Sequence, residues 1–206
     1  MKISKKWKLQ WILLLLFEGM IIGVYAQKTQ KYILDTTSSR LFWKCDIHNG
    51  FIKMKSGQLT LSGEEIMSGK IVADMNTIQD IDIDYDLMRQ TLENILKSPE
   101  FFDVQNFPES YFVLDKSEKI TDNTYHVDGD LTILGGDICV SFDVELSFPE
   151  KNKLLIKSSV FKVDRTKYGI RLYSSKYPNN KDNPQEFVVP DEMLLYVELS
   201  FFFVEE

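Results

Sequence analysis

Tyr125-His126-Val127-Asp128-Gly129-Asp130-Leu131-Thr132-Ile133 and, a few residues on, Ile138-Cys139-Val140-Ser141-Phe142-Asp143-Val144-Glu145-Leu146-Ser147 decide the fold. In both stretches apolar or small residues alternate with polar ones. Side chains repeat every two residues only in an extended strand, so each stretch has one apolar and one wet face. Gly135-Gly136 between them predicts a tight turn, and residues 123–148 read as a long hairpin.

Working outward, the same period returns in shorter runs. It appears at Leu41, Trp43 and Cys45, at Ile52 and Met54, at Leu59 and Leu61, and at Ile71, Ala73 and Met75. It returns at Phe112 and Leu114, from Leu155 to Val163, and from Met193 to Phe203, about eight strands in all with the hairpin. Gly57, Gly63 and Gly69 supply turns, and Pro178 to Pro190 reads as one long loop. One segment breaks the pattern. Leu87, Met88, Thr91, Leu92, Ile95 and Leu96 recur at helical spacing, which predicts an amphipathic helix over 85–97, capped by Asp84 and stopped before Pro99. Such a lone helix suggests a lid or plug. The fold class is mainly β: a closed eight-stranded antiparallel barrel with one short helix, closure being favoured because it removes exposed edges. A sandwich is the alternative.

Parity then selects the interior. Trp43, Ile52, Met54, Ile71, Ala73, Met75, Phe112, Val127, Leu131, Val140, Phe142, Phe161, Val163, Leu195 and Val197 should point inward and line a space for an apolar ligand. Arg165 keeps the parity of Phe161 and Val163 and should also point inward, so it needs an anion. Its partner is either an internal carboxylate, which we favour, or the polar head of a ligand. Cys45 shares parity with Leu41 and Trp43, whereas Cys139 sits among Ser141 and Asp143. Thiols on opposite faces cannot bridge directly.

Residues 1–26 have the layout of a cleaved signal peptide: Lys2, Lys5, Lys6 and Lys8, an apolar run from Trp11 to Phe17, and Ala26 as the small residue before cleavage. A membrane anchor is the alternative, but Glu18 leaves the apolar run short for a span. The remaining 180 residues, 27–206, suffice for one domain with a sizeable core. They carry 20 basic and 30 acidic residues, and a net charge of −10 disfavours nucleic acid and anionic membranes as partners.

Chemistry leaves little trace. Asp80, Asp82, Asp84, Asp86 and Glu93 resemble calcium-loop ligands, but Leu87 stands where that loop needs Gly, and carboxylates before a helix complement its dipole anyway. His48 reads as a turn residue and His126 as solvated, neither with ligand spacing around it. No metal, cofactor or catalytic residue is therefore expected, and no nucleophile motif or phosphate loop is present.

Several short motifs occur in a telling order. They run Ser38-Ser39-Arg40-Leu41-Phe42-Trp43-Lys44, then His48-Asn49-Gly50 into Ile52-Lys53-Met54-Lys55-Ser56-Gly57, then Asp74-Met75-Asn76-Thr77-Ile78. Next come Leu96-Lys97-Ser98-Pro99-Glu100-Phe101-Phe102-Asp103-Val104, Phe107-Pro108-Glu109-Ser110-Tyr111-Phe112, and Val127-Asp128-Gly129-Asp130-Leu131-Thr132-Ile133. Phe161-Lys162-Val163-Asp164-Arg165-Thr166-Lys167-Tyr168-Gly169-Ile170 closes the set. From Tyr32 to about Phe203 the chain resembles the YceI-like family of exported lipid-binding proteins. The resemblance implies an extended, lipocalin-like barrel that holds a long isoprenoid or similar amphiphile, without catalysis. Two departures stand out: Ile95 occupies a place where the family usually has His, and Gly136-Asp137 replaces a Gly-Ile/Val-Thr/Lys type of run.

The expected function is thus an exported, periplasmic or secreted binding protein for an isoprenoid or fatty-acid-like lipid, with no stable membrane insertion after signal cleavage. The oligomeric state is left open. An outer-membrane barrel would show the same alternation with its apolar face outward. A lipid-modifying enzyme with a loop-built site is the other alternative.

Overall fold

The computed structural model describes residues 28–46, 48–177 and 188–205. The signal peptide expected at 1–26 and most of the loop expected from Pro178 to Pro190 lie outside the described residues.

Eight antiparallel staves close into a ring. β1 (Thr29–Leu34) and β2 (Arg40–Cys45) lie end to end as the first stave, followed by β3 (His48–Ser62). β4 (Glu65–Asp74) is continued along β3 by the short β5 (Gln79–Asp80). β6 (Glu109–Lys119), β7 (Thr124–Ile133) and β8 (Gly136–Glu150) come next. β9 (Lys153–Ser158) is continued by β10 (Phe161–Asp164), and β11 (Glu192–Val204) shuts the ring. One edge of β11 pairs with β9 and β10, through Leu199↔Ile156 and Leu195↔Phe161. Its other edge pairs with β2 and β1, through Leu195↔Trp43 and Phe202↔Ile33. Among the described residues, closure leaves no long unpaired edge to recruit another chain.

The predicted hairpin is present, in register from Thr124↔Glu145 to Ile133↔Gly136. Its turn is Leu134-Gly135, with φ of 52° and 72°, rather than the expected Gly135-Gly136. Both turn positions take the left-handed backbone that suits the twist of the strands, and Gly136 is released to begin β8. Gly129 has a different task. A Cβ there would overlap the Phe112 ring and the Val113 carbonyl, so the missing side chain lets that ring lie flat against β7.

Bulges re-aim the strands. The register of β3 against β4 shifts between Met54 and Ser56, so the inward set changes from Ile52 and Met54 to Gly57, Leu59 and Leu61. A second shift, between Leu114 and Lys116, does the same to β6. The apolar run from Leu155 to Val163 is likewise interrupted at Ser159-Val160, which separates β9 from β10. An extra residue on one strand bends the pair and increases its twist, which is how a sheet turns the corner of a barrel.

The helix, α1 (Asp86–Lys97), forms where its spacing places it, but two details differ. Its N-cap is Tyr85, with no side-chain cap bond, instead of Asp84. Only its second half packs: Leu96 is buried and Leu92 and Ile95 partly so, while Leu87 and Met88 are 65% and 64% exposed. The segment after the helix completes the plug, because Phe101, Phe102 and Val104 are buried and the two rings meet edge to face at 4.8 Å.

Arg165 corrects the parity reading. β10 stops at Asp164, whose carboxylate accepts from Thr166 N at 3.0 Å and starts a 3-10 turn over Arg165–Tyr168. Arg165 is therefore fully buried in the closed end and does not line the bore. Cys45 is half-buried, Cys139 is exposed, and both are free thiols.

Candidate functional site: an apolar bore

The inward faces of the staves enclose a space of about 870 Å³, counted with its opening to solvent. Eleven of the residues selected by parity line it: Met54, Ile71, Ala73, Phe112, Val127, Leu131, Val140, Phe142, Phe161, Leu195 and Val197. One wall is aromatic, with Phe142 stacked on Phe161 at 4.3 Å and tilted against Phe112 at 5.4 Å. On the neighbouring β4, the small residues Ala73 and Gly69 also face this space. The single serine hydroxyl of the lining, Ser110 Oγ, already donates to Thr132 O at 2.6 Å.

Toward the plugged end a second chamber, about 520 Å³ when likewise counted with its opening to solvent, adjoins the first and shares Leu41, Ser110, Leu131 and Leu195 with it. Trp43, Ile52 and Met75 line this part, together with Cys45, Leu96, Phe101 and Phe102. Burial pushes the Cys45 thiol up from its ordinary pKa. Trp43 Nε1 is buried without a hydrogen-bond partner. Val163 is buried in the core beyond both chambers.

Parity reasoning missed Leu59, Ile66, Val144, Ile156, Leu199 and Phe201, which also line the main chamber. Leu59 and Ile66 lie across register shifts of the β3–β4 pair, and Ile156 across the interruption at Ser159-Val160, where counting from the clearer half of a strand gives the wrong face; Val144 continues the parity of Val140 and Phe142, as Leu199 and Phe201 continue that of Leu195 and Val197, and these three could have been found.

At the closed end Arg165 makes no contact with the bore. Its Nε donates to Pro190 O at 3.0 Å, Nη1 to Leu172 O at 2.7 Å and to Ile170 O at 3.3 Å, and Nη2 to Val189 O at 3.1 Å. Asp191 Oδ1 stands 3.6 Å away, and Phe101 presents its ring face at 5.5 Å. The expected carboxylate is there, but main-chain carbonyls take most of the hydrogen bonds.

The predicted acidic run is divided by the fold. Asp80 and Asp82 converge on His48, and Glu93 Oε1 accepts from Asp80 N at 3.1 Å. Asp84 and Asp86 are not members of that cluster, and Asp86 is paired to Arg89. His126 is bonded to Asp143 Oδ1 at 2.7 Å, a contact that raises its pKa.

A closed eight-stranded barrel with an apolar bore and a plugged end defines a class of small-molecule binding barrels. The chain matches the family described as "YceI-like domain" over residues 32–201 and belongs to that family. Burkholderia cenocepacia BcnA shares 17% identity and a TM-score of 0.63, over 81% of this chain and 98% of that one. A polyisoprenoid binding domain from Saccharophagus degradans, implicated in plant cell wall breakdown, has 12% identity and a TM-score of 0.58, over 83% and 97%. The Campylobacter jejuni YCEI protein has 18% identity and a TM-score of 0.53, over 80% and 85%. At such identities these structures establish the shared fold. Comparison with curated proteins yields no match.

Proposed function

We propose that this chain is an exported binding protein that holds one long apolar amphiphile, an isoprenoid or a fatty-acid-like lipid, along the bore. The observation that carries this reading is the two adjoining chambers, whose walls are almost wholly hydrocarbon. Burial of a methylene contributes about 0.8 kcal/mol, so a chain of roughly twenty carbons offers over 10 kcal/mol before association costs. The buried, unpartnered indole N–H of Trp43 would satisfy an oxygen at the ligand's polar end. Family membership and the polyisoprenoid binding domain among the similar structures support the same ligand class. The signal-like residues 1–26 support export, to the periplasm or to the outside of the cell.

The outward positions carry cross-strand ion pairs, Lys157 with Glu198 at 3.0 Å and Lys162 with Glu192 at 2.9 Å. A barrel that spans lipid needs an apolar band there instead. The hydrocarbon lining favours binding over catalysis.

Mass spectrometry of an organic extract of protein purified without detergent tests the proposal. About one lipid per chain is expected, and Ala73→Trp should abolish it while the circular dichroism spectrum stays unchanged. Lipid-free protein that also fails to take up farnesol or a fluorescent fatty acid would overturn it.

A further inference from the structure

We infer that His48, Asp80 and Asp82 form a binding site for a divalent transition-metal cation of the zinc type, independent of whether the bore holds a lipid. His48 opens β3, Asp80 lies on β5, and Asp82 follows two residues later. The pairs Gly50↔Asp80 and Phe51↔Gln79 hold the two segments together, reinforced by Ile81 N donating to Asn49 O at 3.0 Å. Glycine makes this approach possible. A Cβ at Gly50 would overlap the Gln79 carbonyl and the Trp43 ring.

Within the cluster each carboxylate has one oxygen fixed and the other directed at the histidine. Asp80 Oδ1 accepts from the main-chain N–H of Asp82 at 3.2 Å and of Ile83 at 2.9 Å. Asp82 Oδ2 accepts from Asn49 N and from Asn49 Nδ2 at 2.7 Å. The remaining oxygens, Asp80 Oδ2 and Asp82 Oδ1, lie 3.8 and 2.9 Å from His48 Nδ1. Asp80 has a fully buried side chain, yet its Oδ2 has no hydrogen-bond partner. A buried carboxylate oxygen aimed at a second carboxylate and an imidazole costs free energy unless a cation joins them.

The three atoms fall within 4.8 Å of one another. Zinc bonds of 2.0–2.2 Å in a tetrahedron put neighbouring ligand atoms roughly 3.4 Å apart, a spacing that 2.9 and 3.8 Å bracket. Hydrogen bonds to the outer oxygens of both carboxylates supply the outer support that orients metal ligands. One nitrogen with two carboxylate oxygens suits zinc or cobalt better than calcium or magnesium, which prefer all-oxygen shells. Side-chain exposures of 35% for His48 and 26% for Asp82 leave the site reachable from solvent.

The test uses the full chain with Cys45→Ser and Cys139→Ser, stripped with chelator, so that thiols do not compete. Zn(II) and Co(II) should each bind at one equivalent with a dissociation constant of about 10 μM or tighter, and calcium should not compete. Excess zinc should raise the melting temperature, because only the folded chain brings the three ligands together. His48→Gln and Asp82→Asn, both at partly exposed positions, should weaken zinc binding at least about tenfold while keeping the circular dichroism spectrum. His126→Gln should leave it unchanged. Absence of binding below about 1 mM, retention of full affinity in both His48→Gln and Asp82→Asn, or loss of binding in His126→Gln would overturn the assignment.

Discussion

Replacing Arg165 with Met separates a structural arginine from one that serves a ligand. Met keeps the apolar stem and removes the donors of four hydrogen bonds to main-chain carbonyls. Pro190 is exposed and Val189 partly so, and water can replace the arginine at those two oxygens. Ile170 and Leu172 are 1% and 8% exposed, and their carbonyls stay dry and unpaired. At about 1–3 kcal/mol for each buried acceptor, with Asp191 left to Lys176 Nζ alone at 3.5 Å, the expected loss is about 3–5 kcal/mol. For a domain of this size that lowers the melting temperature by roughly 6–20 °C. Arg165→Lys keeps the charge but not the fork, and should fall between the two. The assay is thermal unfolding of the lipid-free protein, run beside uptake of a matched acid and alcohol. Because no guanidinium atom reaches the bore, residual folded protein should bind the two in the wild-type ratio. An unchanged melting temperature with selective loss of the acid would refute this account.

Other perturbations probe the faces of the sheet. Phe142→Asp places an unpaired charge between Phe112 and Phe161 and should cost over about 3 kcal/mol, whereas Asp143→Asn, which only weakens the bond to His126, should cost about 0.5 kcal/mol; equal losses in urea titrations would contradict the parity of β8. The bond to Asp143 raises the His126 pKa in the folded state, so its stabilisation is complete below the unfolded value of about 6.5 and fades as pH rises through the higher folded value. With side chains 41% and 49% exposed, the effect is at most a few tenths of a kcal/mol, seen as a slightly smaller drop in melting temperature from pH about 5.5 to 9 for His126→Gln than for wild type. Iodoacetamide should modify Cys139 quickly and Cys45 slowly, since burial keeps Cys45 protonated; a quantitative Cys45–Cys139 disulfide in the intact mass would contradict the placement of both.

The barrel was legible where the pattern ran unbroken. From Thr124 to Leu146 every second side chain does what its parity says, because paired strands of ten and fifteen residues leave no freedom to slip without turning the apolar set outward. Legibility failed at bulges, which cannot be seen in a one-dimensional pattern: the Met54/Ser56 shift hid Leu59 and its neighbours. The helix was visible as a period, yet the exposure of Leu87 and Met88 depends on where the barrel rim ends. Arg165 was misplaced because a 3-10 turn begins one residue after the strand, a boundary set by the Asp164 cap. The grouping of His48 with Asp80 leaves no mark in the sequence because ladder pairing, not spacing along the chain, joins them.

The closing strand has a consequence for how the molecule is made. β11 seals a ring whose other seam partners, β1 and β2, lie over 140 residues earlier, so the most distant pairing of the described chain is also the one that completes the wall. Hairpins such as β7–β8 can assemble locally, but the circle cannot shut until Leu195 finds Trp43. Folding should accordingly be slow, as for other proteins dominated by non-local contacts. Until that late step the nascent sheet is an open trough with two raw edges, and Trp43, Phe142 and Phe161 lie open to another copy of the chain.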